Sequence, residues 1–142
     1  METEDKIEEL VWRCVAARLD GAEALVDMTT DEIRRAYNGI GPEWAGEKPR
    51  DWLTRHLALF EPAAVIHDVR NEFSDGTCKG FMYANYEFFV NCLTLADAAH
   101  PWWSWRRYRA YAAARLAFKF VSGPGGWKAW MECYEKSGKG EH

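Results

Sequence analysis

The sequence predicts an all-α fold built as one small helical domain. Apolar residues recur at three- and four-residue spacing through most of the 142 residues, and the strict alternation typical of β-strands is scarce. A chain of this length can bury a core without disulfides or a structural metal. We therefore expect residues 1–136 to form a single domain and residues 137–142 to form a polar tail.

The N-terminal part predicts a long helix followed by a short one. Apolar residues from Ile7 to Val15 repeat at helical spacing, which predicts an amphipathic helix over residues 4–19. Thr29 and Glu32 have the spacing of a capping box, in which each side chain bonds the backbone N–H of the other residue. They predict a short helix that ends near Tyr37.

The middle of the chain predicts two antiparallel helices after a first helical segment over residues 49–60. Pro62 suits the first turn of a helix, where its missing N–H has no helical partner to lose. This helix carries His67 and is expected to end at residues 74–77, which are typical turn residues. The next helix is predicted over residues 79–98.

Asn85 is a polar residue on the apolar stripe of that last helix. The other members of the stripe are Phe81, Phe88, Cys92 and Leu95. A buried amide without a partner costs about 1–3 kcal/mol, so Asn85 needs a partner. His67 on the neighbouring helix is one candidate, and backbone groups, as for an ordinary buried asparagine, are the other.

A further helix is predicted from Pro101 to Phe120, and a short one follows the glycine-rich residues 122–126. Four large apolar residues share an arc of the first of these helices: Trp102, Trp105, Leu116 and Phe120. We favour an arc that faces the core beside a solvated charged edge. The alternative is an interfacial surface, with the aromatic side chains against acyl chains and Arg115 and Lys119 towards lipid headgroups.

Composition narrows the class of protein. The formal net charge of −4 argues against general nucleic-acid binding. Four widely spaced cysteines without a Cys-x-x-Cys pair indicate reduced core residues of a cytosolic protein: Cys14, Cys78, Cys92 and Cys133. The acidic start lacks the features of a signal peptide, and no apolar run has the length of a membrane span. We expect a soluble, cytoplasmic protein.

The most informative motif reads Tyr-Asn-Gly-Ile-Gly-Pro from Tyr37, with His67-Asp68 downstream. Alternate glycines let a loop turn sharply and direct successive carbonyls to one point, and calcium takes about six to eight oxygen ligands. The carbonyls of Tyr37, Gly39 and Gly41 and the carboxylate of Asp68 are therefore candidate Ca²⁺ ligands. His67 is the candidate base that takes a proton from water while the cation polarises an ester carbonyl.

This pattern resembles the phospholipase A2 superfamily, whose calcium loop reads Tyr-x-Gly-x-Gly and whose catalytic helix carries His-Asp. It is similar to the disulfide-free branch found in parvovirus capsid proteins and in small phage or prophage proteins, where a later helix carries Ala-Asp-x-x-Phe. Here that segment reads Ala-Asn-Tyr-Glu-Phe from Ala84 to Phe88, so the resemblance covers roughly residues 37–93.

The resemblance implies a calcium-dependent hydrolase of phospholipid acyl esters. His67 and Asn85 would be its catalytic residues, with Asn85 at the position of the aspartate that holds the imidazole in the family. It also implies contact with a phospholipid membrane through aromatic residues and, for a phage-encoded protein, association with the virion.

Two alternatives remain open. A catalytically impaired phospholipase A2-like phage or prophage protein would keep the scaffold and bind a protein partner or a membrane, and the neutral Asn85 favours this reading. A metal-dependent phosphohydrolase would instead activate water at a metal held by four side chains: His56, His67, Asp68 and Asp97. The glycine loop has no part in this second scheme.

Overall fold

We describe the protein from a computed structural model that covers the backbone of residues 2–37 and 56–141 and the side chains of residues 6–37 and 56–137. Within these ranges the protein is helical and has no β-strand, which confirms the predicted all-α class. In chain order the helices are α1 (Glu2–Ala16), α2 (Ala22–Val26), α3 (Thr30–Ala36), α4 (Glu61–Glu72), α5 (Cys78–Ala99), α6 (Trp105–Val121) and α7 (Pro124–Glu141). Residues 56–59 are helical as well. None of the described helices combines the length and the apolar character needed to cross a bilayer.

The N-terminal helices follow the predicted order with one addition. α1 ends three residues before the predicted boundary, and Arg18 just beyond it has a left-handed backbone with φ 56°. The short α2 was not predicted. α3 begins with the predicted capping box, because Thr29 Oγ1 accepts from the Glu32 N–H at 3.1 Å and Glu32 Oε1 accepts from the Thr29 N–H at 2.9 Å.

The predicted break between α4 and α5 is confirmed. Pro62 lies in the first turn of α4, and α4 ends at Glu72. In the turn that follows, Asp75 Oδ1 accepts hydrogen bonds from the Thr77 N–H at 2.9 Å and from its hydroxyl at 2.8 Å. Thr77 then caps α5 by accepting from the Gly80 N–H at 3.0 Å. These local bonds fix where α5 begins.

The main core lies where α1 to α6 meet, with α4 at its centre, since residues 62–67 of α4 are buried without interruption. The predicted apolar stripe of α5 is buried throughout. Val15, which the helical spacing places on the apolar face of α1, is 40% exposed at its edge. Phe73 shares an apolar stripe of α4 with Ile66 and Val69 in the sequence pattern, but it is 70% exposed. Phe73 caps the end of α4, so its side chain leaves the stripe.

The four cysteines are free, as predicted, but they are not all core residues. Cys14 and Cys92 are buried, and burial raises the pKa of the Cys14 thiol to about 12 and that of Cys92 well above its ordinary value. Cys78 is exposed in the first turn of α5, and Cys133 is partly buried. The core prediction is therefore wrong for Cys78.

The face of α6 that is buried in the structure is not the one that was predicted. It begins at Trp105 with Ser104 as its N-cap, not at Pro101. The face packed on the core consists of small residues: Ala110, Ala113, Ala114, Ala117 and Val121. The aromatic arc that we expected to face the core is exposed. An alanine face lets α6 approach α5 closely, whereas the larger side chains would hold the two helices apart.

α7 is longer than the predicted short helix and runs to Glu141, so its backbone is helical within the expected polar tail. Its buried Trp130 packs with Phe81 and Ala84 of α5 in a second, smaller cluster. Trp130 Nε1 donates to the Thr77 carbonyl at 3.1 Å. The glycine run starts α7, and a Cβ on Gly126 would collide with the Val121 carbonyl oxygen.

Candidate active site

α4 and α5 bring His67 and Asn85 into direct contact in the core. His67 Nε2 lies 2.8 Å from Asn85 Oδ1, and the two side chains are only 6% and 2% exposed. Because the amide oxygen accepts a hydrogen bond, Nε2 is the nitrogen that carries the proton, and Nδ1 is the acceptor. Of the two partners considered for Asn85, the structure shows the histidine side chain.

His67 is held in its neutral form by its surroundings. Burial lowers the pKa of the imidazole, and the hydrogen bond that His67 donates to Asn85 only partly opposes this effect. The Phe88 ring lies 5.0 Å from the imidazole, centroid to centroid, and adds to the apolar environment. A neutral imidazole with a free lone pair is the form that can accept a proton from water.

Asn85 differs from the other buried asparagine of α5. Asn91 is 1% exposed and satisfies both ends of its amide on the backbone of Asp20, at 2.8 and 2.9 Å. Asn85 Nδ2 is also buried, but it finds no hydrogen-bond partner in the described part of the chain. Asn91 is thus a structural asparagine, whereas Asn85 keeps a spare donor beside His67.

Two of the predicted calcium ligands, Tyr37 and Asp68, are close enough to interact electrostatically. The pKa of Tyr37 is raised by burial, by its hydrogen bond to Glu61 and by the negative charges of Glu61 and Asp68. Its hydroxyl donates to Glu61 Oε2 at 2.5 Å, and Lys6 Nζ lies 3.2 Å from the same oxygen. The residue at which the predicted calcium loop begins is therefore tied to the start of α4, within electrostatic range of Asp68.

The other two predicted ligands, Gly39 and Gly41, lie outside the described residues. Asp68 is only partly buried and directly follows His67, so its carboxylate can supply the anionic ligand that a set of neutral carbonyls needs.

The four residues of the phosphohydrolase alternative are not assembled into a metal site. In the ranges that the structure describes, no three His, Cys, Asp or Glu side chains come together as metal ligands. Asp97 instead accepts a hydrogen bond from the Tyr111 hydroxyl and pairs with Arg107 at 2.6 Å, and both interactions lower the pKa of its carboxyl, that of Tyr111 most. His56 lies in a separate cleft beside His100.

Two features of the structure were missed in the sequence. One is a bidentate ion pair between Arg70 and the buried Glu87, with both N–O distances 2.9 Å, which links α4 to α5 beside Gly21. The other is a cleft of about 400 Å³ lined by Leu59, Ala99, Trp105 and four basic or imidazole side chains: His56, His100, Arg106 and Arg109. The signal for this cleft was present, since residues 101–131 contain six lysines and arginines and no acidic residue.

No family model, curated protein sequence or solved structure is detectably similar to the chain. The resemblance to phospholipases A2 therefore depends on three short motifs, which begin at Tyr37, His67 and Ala84. The contact between His67 and Asn85 joins residues of two of these motifs in the structure.

Proposed function

We propose that the protein is a calcium-dependent, phospholipase A2-like esterase that hydrolyses phospholipid acyl esters. One observation carries the proposal. His67 and Asn85 are 18 residues apart in the chain, and their side chains meet at 2.8 Å in the core. These are the two positions that the motif resemblance assigns to the base and to the residue that holds it. A buried polar pair of this kind is also costly to maintain without a role.

His67 would act as the general base. Its Nδ1 would take the proton from a water molecule that attacks the ester, while the Nε2–H bond to Asn85 keeps the ring in one orientation and tautomer. The lowered pKa keeps the imidazole unprotonated at neutral pH, which favours this role. This proton transfer turns His67 into an imidazolium. The neutral amide of Asn85 stabilises that cation less than a carboxylate would.

The calcium ion would be held by the carbonyls of Tyr37, Gly39 and Gly41 and by the Asp68 carboxylate. A hard cation with oxygen ligands polarises an ester carbonyl and stabilises the oxyanion that develops. Asp68 is the one anionic member of this set. Asp68→Asn should therefore weaken or abolish calcium binding, which calorimetry measures directly, and an unchanged affinity would contradict the site.

The test of the chemistry uses a soluble short-chain phosphatidylcholine, so that hydrolysis does not depend on binding to a bilayer. Activity should require calcium, and His67→Ala should reduce it at least a hundredfold while the helical circular dichroism is kept. His100→Ala, which removes another imidazole outside the site, is the matched control and should remain active. Loss of helical structure in His67→Ala would indicate a core histidine instead.

Asn85→Asp is the sharpest variant. A carboxylate at 2.8 Å from Nε2 should raise the pKa of His67 and stabilise the imidazolium, so the calcium-dependent rate should rise or stay equal. A large fall in rate with the fold preserved would mean that the site is built around the neutral amide.

The second candidate is a binding module with impaired catalysis. The observations that favour it are the neutral Asn85 and the 6% exposure of His67, which limits the access of water. Its signature is the absence of hydrolysis in both the natural protein and Asn85→Asp, together with no calcium binding.

A further inference from the structure

The surface of α6 and the turn before it expose an unusual amount of aromatic side chain. Trp102, Trp103 and Trp105 are 69%, 71% and 61% exposed, and Leu116 and Phe120 further along the helix are each nearly half exposed. Trp105, Leu116 and Phe120 lie on one side of α6 at helical spacing. Exposed apolar surface of this extent in a folded domain indicates an interaction site.

Cations accompany these aromatic residues without any anion on the same segment. Residues 101–131 hold six of the 18 lysines and arginines and none of the 22 acidic residues, so the rest of the chain carries 12 basic and 22 acidic residues. Arg107 is neutralised by Asp97 from α5. Arg106 and Arg109 are exposed and lie over the Trp105 ring at 5.8 and 5.4 Å. The segment is thus a positive and aromatic patch on an otherwise acidic protein.

The cleft beside Trp105 adds a place for an anionic group. Its volume of about 400 Å³ exceeds that of a phosphate, and Arg106, Arg109, His56 and His100 line it. None of its described lining residues is acidic. Guanidinium groups bind phosphate oxygens with two parallel hydrogen bonds, so the two arginines suit a phosphodiester headgroup.

We propose that this α6 face, made of Trp102, Trp103, Trp105, Arg106, Arg109, Leu116 and Phe120, docks on an anionic phospholipid bilayer. Indole rings favour the boundary between water and acyl chains, and lysine and arginine are attracted to anionic headgroups. Exposed leucine and phenylalanine side chains make favourable apolar contacts with acyl chains, whereas a phosphodiester backbone offers them none. This difference favours a lipid over a nucleic acid as the partner. No residue of the α6 face belongs to the proposed esterase site, so the docking does not require that chemistry.

The experiment is co-sedimentation with vesicles in EDTA, which removes any contribution from calcium. The protein should bind phosphatidylcholine vesicles that contain a quarter of phosphatidylglycerol, and bind pure phosphatidylcholine at least tenfold more weakly. High salt should weaken binding to the anionic vesicles. Equal binding to both kinds of vesicle, or to neither, would overturn the proposal.

Matched double variants locate the surface. Arg106→Ala/Arg109→Ala and Trp102→Ala/Trp103→Ala should each weaken vesicle binding at least tenfold. Arg34→Ala/Arg35→Ala on α3 and Trp12→Ala on α1, where Trp12 is 68% exposed, remove similar side chains elsewhere and should bind normally. An equal loss of vesicle binding in the control variants would mean that binding depends on overall charge or on nonspecific hydrophobic contact. That result would contradict the assignment of binding to the α6 face.

Two further measurements separate this proposal from its rivals and from the esterase. Binding of a homopolymeric RNA that depends on Arg106 and Arg109, without vesicle binding, would make the surface a nucleic-acid interface and overturn the lipid assignment. His67→Ala should bind vesicles normally, and Trp102→Ala/Trp103→Ala should hydrolyse the soluble short-chain lipid normally. Failure of either proposal is therefore visible without the other.

Discussion

Two asparagines six residues apart on α5, Asn85 and Asn91, have the same side chain in two different roles. Asn91 bonds both the N–H and the carbonyl of Asp20, and so fixes the loop between α1 and α2 against the core. Asn85 accepts from His67 and leaves its own N–H₂ group without a partner among the described residues. An unsatisfied buried donor costs about 1–3 kcal/mol, which a purely structural site would tend to avoid.

The buried neutral His67 should make stability depend on pH. In the unfolded chain its pKa is the ordinary 6.5, and burial lowers the pKa in the folded state. As the pH falls below 6.5, the unfolded state gains a proton that the folded state does not, so folding loses up to about 1.4 kcal/mol per pH unit until the lower folded pKa is reached. The loss is absent above the unfolded value.

His67→Gln removes this dependence. Thermal unfolding followed by circular dichroism from pH 7.5 to 5.5 should show a larger fall in melting temperature for the natural protein than for His67→Gln. His100→Gln is the control and should follow the natural protein. Parallel curves for all three proteins would mean that His67 is protonated as readily in the folded state as in the unfolded one.

Prediction at the scale of single residues succeeded where one polar side chain interrupted an apolar pattern. Asn85 stood out as a polar residue on an apolar stripe, and the requirement for a partner followed from the cost of burial. The ion pair of Arg70 with Glu87 gave no such signal, because charged residues at these positions look the same in sequence whether they face solvent or a neighbouring helix. Glu87 is nevertheless 5% exposed.

At the scale of elements, helix boundaries followed local chemistry. The capping box at Thr29, the proline at the start of α4 and the Asp75–Thr77 turn are interactions between residues close in the chain, so sequence alone specifies them. Which face of α6 is buried depends instead on tertiary packing against other helices. The alanine stripe of α6 faces α5 because small side chains let the two helices pack closely. Hydrophobicity alone wrongly predicts that the tryptophans are the buried residues.

Gly21 is the point at which the α1–α2 loop meets α4 and α5. Its φ of +89° lies in the left-handed region, and a Cβ there would lie 2.9 Å from Ile66 Cγ2 and 3.0 Å from Glu87 Oε2. Backbone strain and the disturbed ion pair together predict that Gly21→Ala destabilises the protein by about 2–4 kcal/mol in urea unfolding. The change should be visible without loss of helix content.

Gly125→Ala provides the comparison for Gly21→Ala. Gly125 lies in α7, and a Cβ there would meet no atom within 4 Å. Because alanine favours a helix by about 0.5–1 kcal/mol over glycine, this variant should be neutral or slightly more stable. Equal effects of the two substitutions would mean that the loop around Gly21 relaxes freely and does not position α4 against α5.

At the scale of the whole molecule, the helices that the structure describes divide between two apolar clusters of unequal size. The larger joins α1 to α6, and the smaller holds Phe81, Ala84 and Trp130 together where α7 meets the start of α5. A sequence read helix by helix does not reveal this division, because Trp127 and Trp130 look equally suited to the core. In the structure Trp127 is 38% exposed, whereas Trp130 is 3% exposed.

The two-cluster arrangement predicts that α7 opens on its own. Trp130→Ala removes the largest side chain of the small cluster and its bond to the Thr77 carbonyl, at a local cost of about 3–5 kcal/mol. If α7 is a separate unit, hydrogen exchange measured by mass spectrometry should accelerate throughout α7 while α1 and α4 keep their protection. Trp127→Ala should have a much smaller effect, since Trp127 contributes mainly an edge contact to Phe81 at 5.2 Å. A uniform loss of protection in every helix would instead mean that both clusters unfold as one cooperative core, with α7 as essential to it as α4.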